Sequence, residues 1–324
     1  MSFPNSVITD LVATTIENRS RDLADNVSQH NAFLHFVEKS GNIEEADGGY
    51  EIREHFEFQE NGNAGSYSGF DFLSVAQQDV ISGAQYQWAQ YAAPVVFSGR
   101  ELSINSGKEK FIDLVKGRVA SAEHTLRNLL NRHAYLDGTG NNGKNLTGLA
   151  AAVPLANTAG TYGNIARSTN TFWQNQKFQS TVDGTGAATA ATIQGYWDTF
   201  LISMIRGSDR PNVIICAPNI YSLFEQSLQT IQRISDSTTA AAGFKSILFN
   251  ADIPVVFDSI SAIPTNVAYF LNTKFLKWRP YSGRNFVPLD KRMSFNQDAE
   301  VEALVWMGNI TCSGLKFQGI YSNT

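Results

Sequence analysis

One stretch limits the choice of fold more than any other: residues 107–136 hold a single apolar face at helical spacing. Phe111, Leu114, Val115, Val119, Ala122, Leu126, Leu129, Leu130 and Leu136 carry it, predicting one helix of roughly eight turns and about 40 Å. Gly117 lies inside and costs about 1 kcal/mol relative to alanine. The run DGTGNNG, residues 137–143, ends the helix, with Gly138 as its cap.

Different patterns precede this helix. Residues 1–48 read as a helical arm. Pro4, Asn5 and Ser6 open it, and Val7, Ile8, Leu11, Val12 and Ile16 form an apolar stripe. A second cluster, Phe33, Leu34, Phe36 and Val37, ends near Gly41. An arm this narrow cannot cover both clusters against itself, so it is expected to lie on a surface outside the arm. Residues 49–83 read as a long hairpin. YEIREHFEF alternates as a strand with one covered face, ENGNAGSYSG is its turn, and FDFLSVAQ is the expected return strand. Residues 84–104 are strand-like, and Pro94 suggests an edge or a bulge.

Beyond the helix, residues 146–272 read as an α/β region. Ile193, Tyr196, Trp197, Phe200, Leu201, Met204 and Ile205 share one helix face; NVIICA is a buried strand; Pro218 opens a second helix; IPVVFDS and VAYFLN are further strands. This alternation predicts one mixed sheet covered by helices. VDGTGAATAAT and SDSTTAAAG read as flexible loops, and residues 273–324 as mostly strand.

Composition removes several function classes. Hydrophobic residues make up 43% and charged residues 17% of the 324-residue chain, enough apolar material for a large core. The net charge of -5 argues against a protein that grips nucleic acid, which needs surplus Lys and Arg. The N-terminus lacks the basic and apolar regions of a signal peptide, and no apolar run is long enough for a membrane span. Cys216 and Cys312 sit in apolar strand-like stretches and read as buried thiols.

No catalytic constellation emerges. Gly138 to Asn145 resembles a phosphate-binding loop, but Asn145 stands where a Ser or Thr must hold Mg²⁺, and a helix precedes the loop instead of a strand. Asp137-Gly-Thr-Gly is one degenerate copy of a motif that an aspartic protease needs twice. His30, His35, His55, His124 and His133 show no zinc-helix spacing. No metal and no cofactor is expected.

Charge is unevenly spread. From Ser40 to Gly99 there are nine acidic residues and one Arg; the hairpin carries Glu51, Glu54, Glu57, Glu60, Asp71 and Asp79. Lys274 to Arg292 is basic, with Lys274, Lys277, Arg279, Arg284, Lys291 and Arg292 against Asp290. Two solvated faces are one reading. Complementary surfaces on neighbouring copies are the other, with charge setting register more than affinity.

The order of segments resembles that of phage capsid proteins of the Hong Kong 97 type: helical arm, long hairpin, strand, long helix, α/β region, returning strands. LDGTGNNGKNLTGLAAAVP, residues 136–154, is similar to their G-x-G loop leading into G-L, and RSTNTFWQN, residues 167–175, to a stretch they carry near the start of the A-domain. The resemblance implies an α+β fold with an N-arm at 1–48, an E-loop at 49–83 and a peripheral P-domain at 84–145 with its spine helix. An axial A-domain at 146–272 follows, and strands at 273–324 complete both domains. It implies a non-enzymatic major capsid protein whose hexamers and pentamers close into an icosahedral head around double-stranded DNA, assembled in the host cytoplasm. Contacts between copies are then expected at Val7, Ile8, Leu11 and Val12 of the arm. The acidic side would be Glu51, Glu54, Glu57 and Glu60, and the basic side Lys277, Arg279, Arg284, Lys291 and Arg292. A portal, a cement protein and a scaffolding protein are the implied partners; only about 48 residues precede the hairpin, so scaffolding is expected from a separate protein. The type member joins an E-loop Lys to a neighbour's Asn; residues 49–83 contain no Lys, so a non-covalent shell is expected. An encapsulin-like compartment shares the fold and is the alternative, and a nucleotide hydrolase using Lys144 a remote one.

Overall fold

The computed structural model describes residues 32–104, 114–228, 246–258, 263–290, 292–293 and 298–324. The arm's apolar stripe, the start of the long helix and the loop SDSTTAAAG lie outside them.

Two sheets organise the chain. The first has six strands: β6 (Gln176–Gln179), β7 (Val213–Cys216), β8 (Ser246–Phe249), β9 (Ile253–Phe257), β10 (Val267–Leu271) and β14 (Gly319–Ser322). Their spatial order is β6-β14-β10-β7-β9-β8, with β14–β6 and β7–β9 parallel and the rest antiparallel. The central strands VIIC and VAYFL are buried at every position, as a sheet covered on both faces requires. Their alternation divides the core. Ile214, Cys216, Ala268 and Phe270 meet helices α4 (Ile193–Met204) and α5 (Pro218–Ser227) through Trp197, Phe200, Ile220 and Phe224. Val213, Ile215, Val267, Tyr269 and Leu271 face a larger cluster shared with the second sheet. Trp197 stacks on Phe224 at 4.7 Å and meets Phe249, Phe270 and Tyr321 edge-on.

In the second sheet β13 (Ala299–Cys312) is central, with β3 (Ala89–Ser98) on one side and β11 (Leu276–Pro288) and β12 (Arg292–Met293) on the other. β3 pairs only with β13 among the described residues, so Pro94, opposite Ala303, lies on an edge strand. The long helix α3 (Leu114–Ala134) crosses this sheet, burying Leu126, Leu130 and Ala134 at four-residue spacing. Asp258, buried after β9, accepts from Asn131 Nδ2 (3.0 Å) and Tyr135 Oη (2.9 Å), joining α3 to the first sheet.

Two expectations need correction. The hairpin pairs β1 (Ile52–Glu57) with β2 (Ile81–Tyr86), in register from Ile52↔Tyr86 to Glu57↔Ile81. FDFLSVAQ, residues 70–77, is therefore not the return strand. Ala84 and Tyr86 find a covered floor beside Ile52, whereas Phe70 and Phe72 project fully into solvent. Residues 99–104 are a helix, α2 (Gly99–Ile104), not strand. Ser98 and Glu101 form a capping box, Ser98 N–H donating to Glu101 Oε2 (3.1 Å) and Glu101 N–H to Ser98 Oγ (3.2 Å). The second arm cluster is indeed covered outside the arm, by the body of its own chain: helix α1 (Ala32–Lys39) buries Phe33, Phe36 and Val37 against α3, β7 and β11.

Candidate inter-subunit surfaces

The hairpin is a two-stranded sheet of its own, so other contacts must hold its base. One grip is ionic. Strand alternation puts Lys277 and Arg279 on one face of β11, against Glu54 of β1. Glu54, only 4% exposed, accepts through Oε1 from Arg279 Nε and Nη2 (2.7 Å each) and from Thr311 Oγ1 (3.0 Å), while Lys277 Nζ stands 3.4 Å from Oε2. Glu44 closes the cluster, 3.0 Å from Lys277 Nζ and 2.6 Å from Arg279 Nη1. Glu44 is in place because residues 42–46 lie beside β11: Trp278 N–H donates to Asn42 O, Glu44 N–H to Trp278 O and Ala46 N–H to Pro280 O.

A second grip is aromatic. Phe56 stacks on Trp173 at 4.4 Å, and Phe58 meets Phe172 at 5.1 Å. Tyr86 Oη donates to Cys312 O (2.8 Å), and Gln85 N–H to Gly163 O (3.0 Å). Burial pushes the Tyr86 hydroxyl far above its ordinary value, so it remains a donor. Phe172 and Trp173 belong to RSTNTFWQN, whose other residues fix it to the segment after α3. Arg167 donates to Ala151 O (2.6 Å) and Ala152 O (2.8 Å), Asn175 to Pro154 O (3.1 Å), and Trp173 Nε1 to Tyr162 O (2.8 Å). The two stretches that suggested the family from sequence thus hold one another and seat the hairpin.

The far end of the hairpin has no such support. Tyr67, Phe70, Phe72, Leu73 and Val75 are exposed, Phe70 and Phe72 completely. Among the grooves on the described residues, two lie elsewhere. One, of about 490 Å³, lies between β3 and α3 and is walled by Ala92, Pro94, Val96, Ala122 and Leu129. The other, of about 560 Å³, lies at the hairpin base, floored by Phe58, Phe172, Phe275 and Phe317.

The charged residues marked by sequence divide accordingly. Glu54, Lys277 and Arg279 meet within one chain. Glu57, Glu60 and Arg284 are exposed and Glu51 is half-buried. Arg292 lies on β12; Lys291, Val7, Ile8, Leu11 and Val12 fall outside the described residues. Glu44 and Thr311 had no local signal, since only the fold brings them to Glu54. Gly140–Gly143 form a single turn in which Asn141 and Asn142 have left-handed φ values of 53° and 57°, and Lys144 points to solvent. Gly148 is needed nearby, because a Cβ there would stand 2.4 Å from Ala134 O. Both thiols are completely buried; burial pushes Cys312 up to about 12 and Cys216 higher still.

No protein-family model and no curated protein matches the sequence. Solved structures do match its fold. The capsid asymmetric unit of cyanophage A-1(L) superposes with a TM-score of 0.71 at 16% identity, over 95% of this chain and 97% of that one. The chain has the Hong Kong 97 capsid fold. The capsid of the empty GTA particle matches that fold at a TM-score of 0.61 and 12% identity, over 99% of both chains. The holo-SrpI encapsulin complex from Synechococcus elongatus PCC 7942 matches it at 0.57 and 8% identity, over 97% of this chain and 96% of that one. A Hong Kong 97 fold therefore spans the whole described chain, from α1 through the hairpin to β14.

Proposed function

We propose that this chain is the major capsid protein of a tailed phage, a structural subunit whose hexamers and pentamers close into an icosahedral head around double-stranded DNA. The observation that carries the reading is the hairpin end: several large apolar side chains stand in water beyond a well-anchored base, in a chain with a capsid fold. A patch of that kind on a well-packed chain marks an interaction surface. Residues 1–48 are then the N-arm, 49–83 the E-loop, 84–145 with the long helix the P-domain, 146–272 the A-domain, and 273–324 the strands completing both. The exposed candidates Glu57, Glu60 and Arg284 take part between copies, whereas Glu54, Lys277 and Arg279 support the hairpin within each copy.

Without a Lys in residues 49–83, the shell is held non-covalently from this loop. A portal and separate scaffolding and cement proteins complete the particle, which assembles in the host cytoplasm. The similarity to an encapsulin favours a second reading, a compartment shell around cargo protein. Expression of the chain followed by electron microscopy tests both: closed polyhedra are expected, and their subunits should run as monomers on a denaturing gel. Particles recovered from infected cells hold DNA under the first reading and cargo protein under the second. A chain that stays monomeric at high concentration and turns over a small molecule defeats both.

A further inference from the structure

We infer that Asn61 is a self-acting modification site: the backbone nitrogen of Gly62 converts it, with water and no enzyme, to aspartate and isoaspartate. Asn-Gly occurs twice in the chain, at Asn61-Gly62 in the hairpin and at Asn142-Gly143 after α3. Glycine follows in both, so no Cβ shields the attacking nitrogen. All four residues are exposed. The fold treats the two pairs differently.

At Asn61 the parts of the reaction are already assembled. Asn63 N–H donates to Asn61 Oδ1 (3.0 Å). That bond closes a turn whose ring contains both Cγ of Asn61 and the nitrogen of Gly62, and it draws electrons from the carbonyl under attack. Asn63 is fixed from its far end, where its Nδ2 donates to Ala76 O and its Oδ1 accepts from Ser74 Oγ (2.7 Å). Gly62 N–H meets no hydrogen-bond partner among the described residues, so solvent base can take its proton. At Asn142 both conditions fail. Gly143 N–H donates to Thr139 O (3.1 Å). Asn142 is left-handed, with φ 57° and ψ 41°, which sets its Cβ beside its own carbonyl oxygen and the Gly143 nitrogen on the far side.

The reaction balances without an oxidant. Gly62 N forms a bond to Asn61 Cγ, the Cγ–Nδ2 bond breaks, and ammonia leaves. Water then opens the resulting succinimide at either carbonyl, giving aspartate or isoaspartate. Each conversion adds one negative charge beside Glu60, and the isoaspartyl form puts an extra methylene into the backbone of the turn.

Peptide mapping of the full, unassembled chain by mass spectrometry, after incubation at mildly alkaline pH in heavy-oxygen water, tests this. Asn61 should lose ammonia and take up solvent oxygen, as paired aspartyl and isoaspartyl products. It should do so at least about tenfold faster than Asn142, which must first break a hydrogen bond and leave its backbone well. In urea the two should react at similar rates. A ratio in the folded chain no larger than in urea overturns the inference, as does an Asn61 that stays intact while the unfolded chain converts. Gly62→Ala should slow the reaction at Asn61 by about tenfold. The added Cβ would lie 3.5 Å from Gln78 Oε1, an ordinary contact, so the hairpin has room for it. An unchanged rate in that variant would mean direct hydrolysis by water and overturns the inference too.

Discussion

The six-stranded sheet and the hairpin follow opposite rules within one chain. Each central strand of the sheet is covered on both faces by its own chain, and Trp197 is enclosed by four rings. The hairpin is anchored at its base by a buried ionic cluster and stacked aromatics, yet its far end has almost no cover. The sheet is a finished fold; the hairpin end leaves its apolar side chains uncovered by its own chain. Folding stability and assembly should therefore respond to different residues, and each expectation below tests that separation.

The largest effect on folding belongs to the sheet. Trp197→Ala should cost about 3–5 kcal/mol, read as a lower urea midpoint of the unassembled chain. A midpoint close to wild type would mean that this half is less self-sufficient than its packing indicates.

At the hairpin base, Glu54→Ala leaves Lys277 and Arg279 facing Glu44 alone and removes the acceptor for Thr311. Breaking a buried pair from one side costs about 3 kcal/mol, whereas the double variant Glu54→Ala/Arg279→Met should recover part of that loss. Chemical denaturation of the four species of the cycle gives the coupling. No coupling would place this cluster with the solvated surface charges.

A smaller effect is pH-dependent. Arg118 hydrogen-bonds Glu101 and holds its carboxyl below the ordinary glutamate value. A depressed folded-state value stabilises the fold above the unfolded-state value, and that stability is lost as pH falls through the folded-state value. Arg118→Met should thus cost about 1.5–3 kcal/mol at neutral pH, and its deficit against wild type should shrink steadily below about pH 4.5. A deficit that is flat with pH would assign the loss to packing on Phe97, over whose ring Arg118 lies at 5.6 Å.

The sheet was legible in the sequence and the hairpin only in part, for the same physical reason. NVIICA and VAYFLN are apolar at nearly every position, and such a run fits only a strand covered on both sides. Ile193, Trp197, Phe200 and Met204 repeat at helical spacing, and the helix they predicted is α4. FDFLSVAQ also alternates like a strand, but alternation states which face wants cover and not which chain supplies it. Its alternation points to a strand partner within the hairpin, and the fold gives that place to Ile81–Tyr86. Ser98-Gly-Arg-Glu101 did carry a helix-start signature within a stretch read as strand, and the structure forms the capping box it spells. Glu44 could not be found, because its role depends on a segment running beside β11, which no local pattern encodes.

The smallest effect on folding should come from the most exposed apolar residues, and it divides the two halves most sharply. Phe70→Ser/Phe72→Ser removes two large side chains that touch almost nothing in their own chain. Surface substitutions of this kind stay within about 0.5 kcal/mol, so the urea midpoint of the unassembled chain should not move. Sedimentation of the same variant should show the assembled fraction collapsing, because a fully exposed anchor contributes only where a second copy covers it. A variant that unfolds early would mean that these rings support their own hairpin. A variant that assembles normally would mean that the apolar end is not where the copies meet.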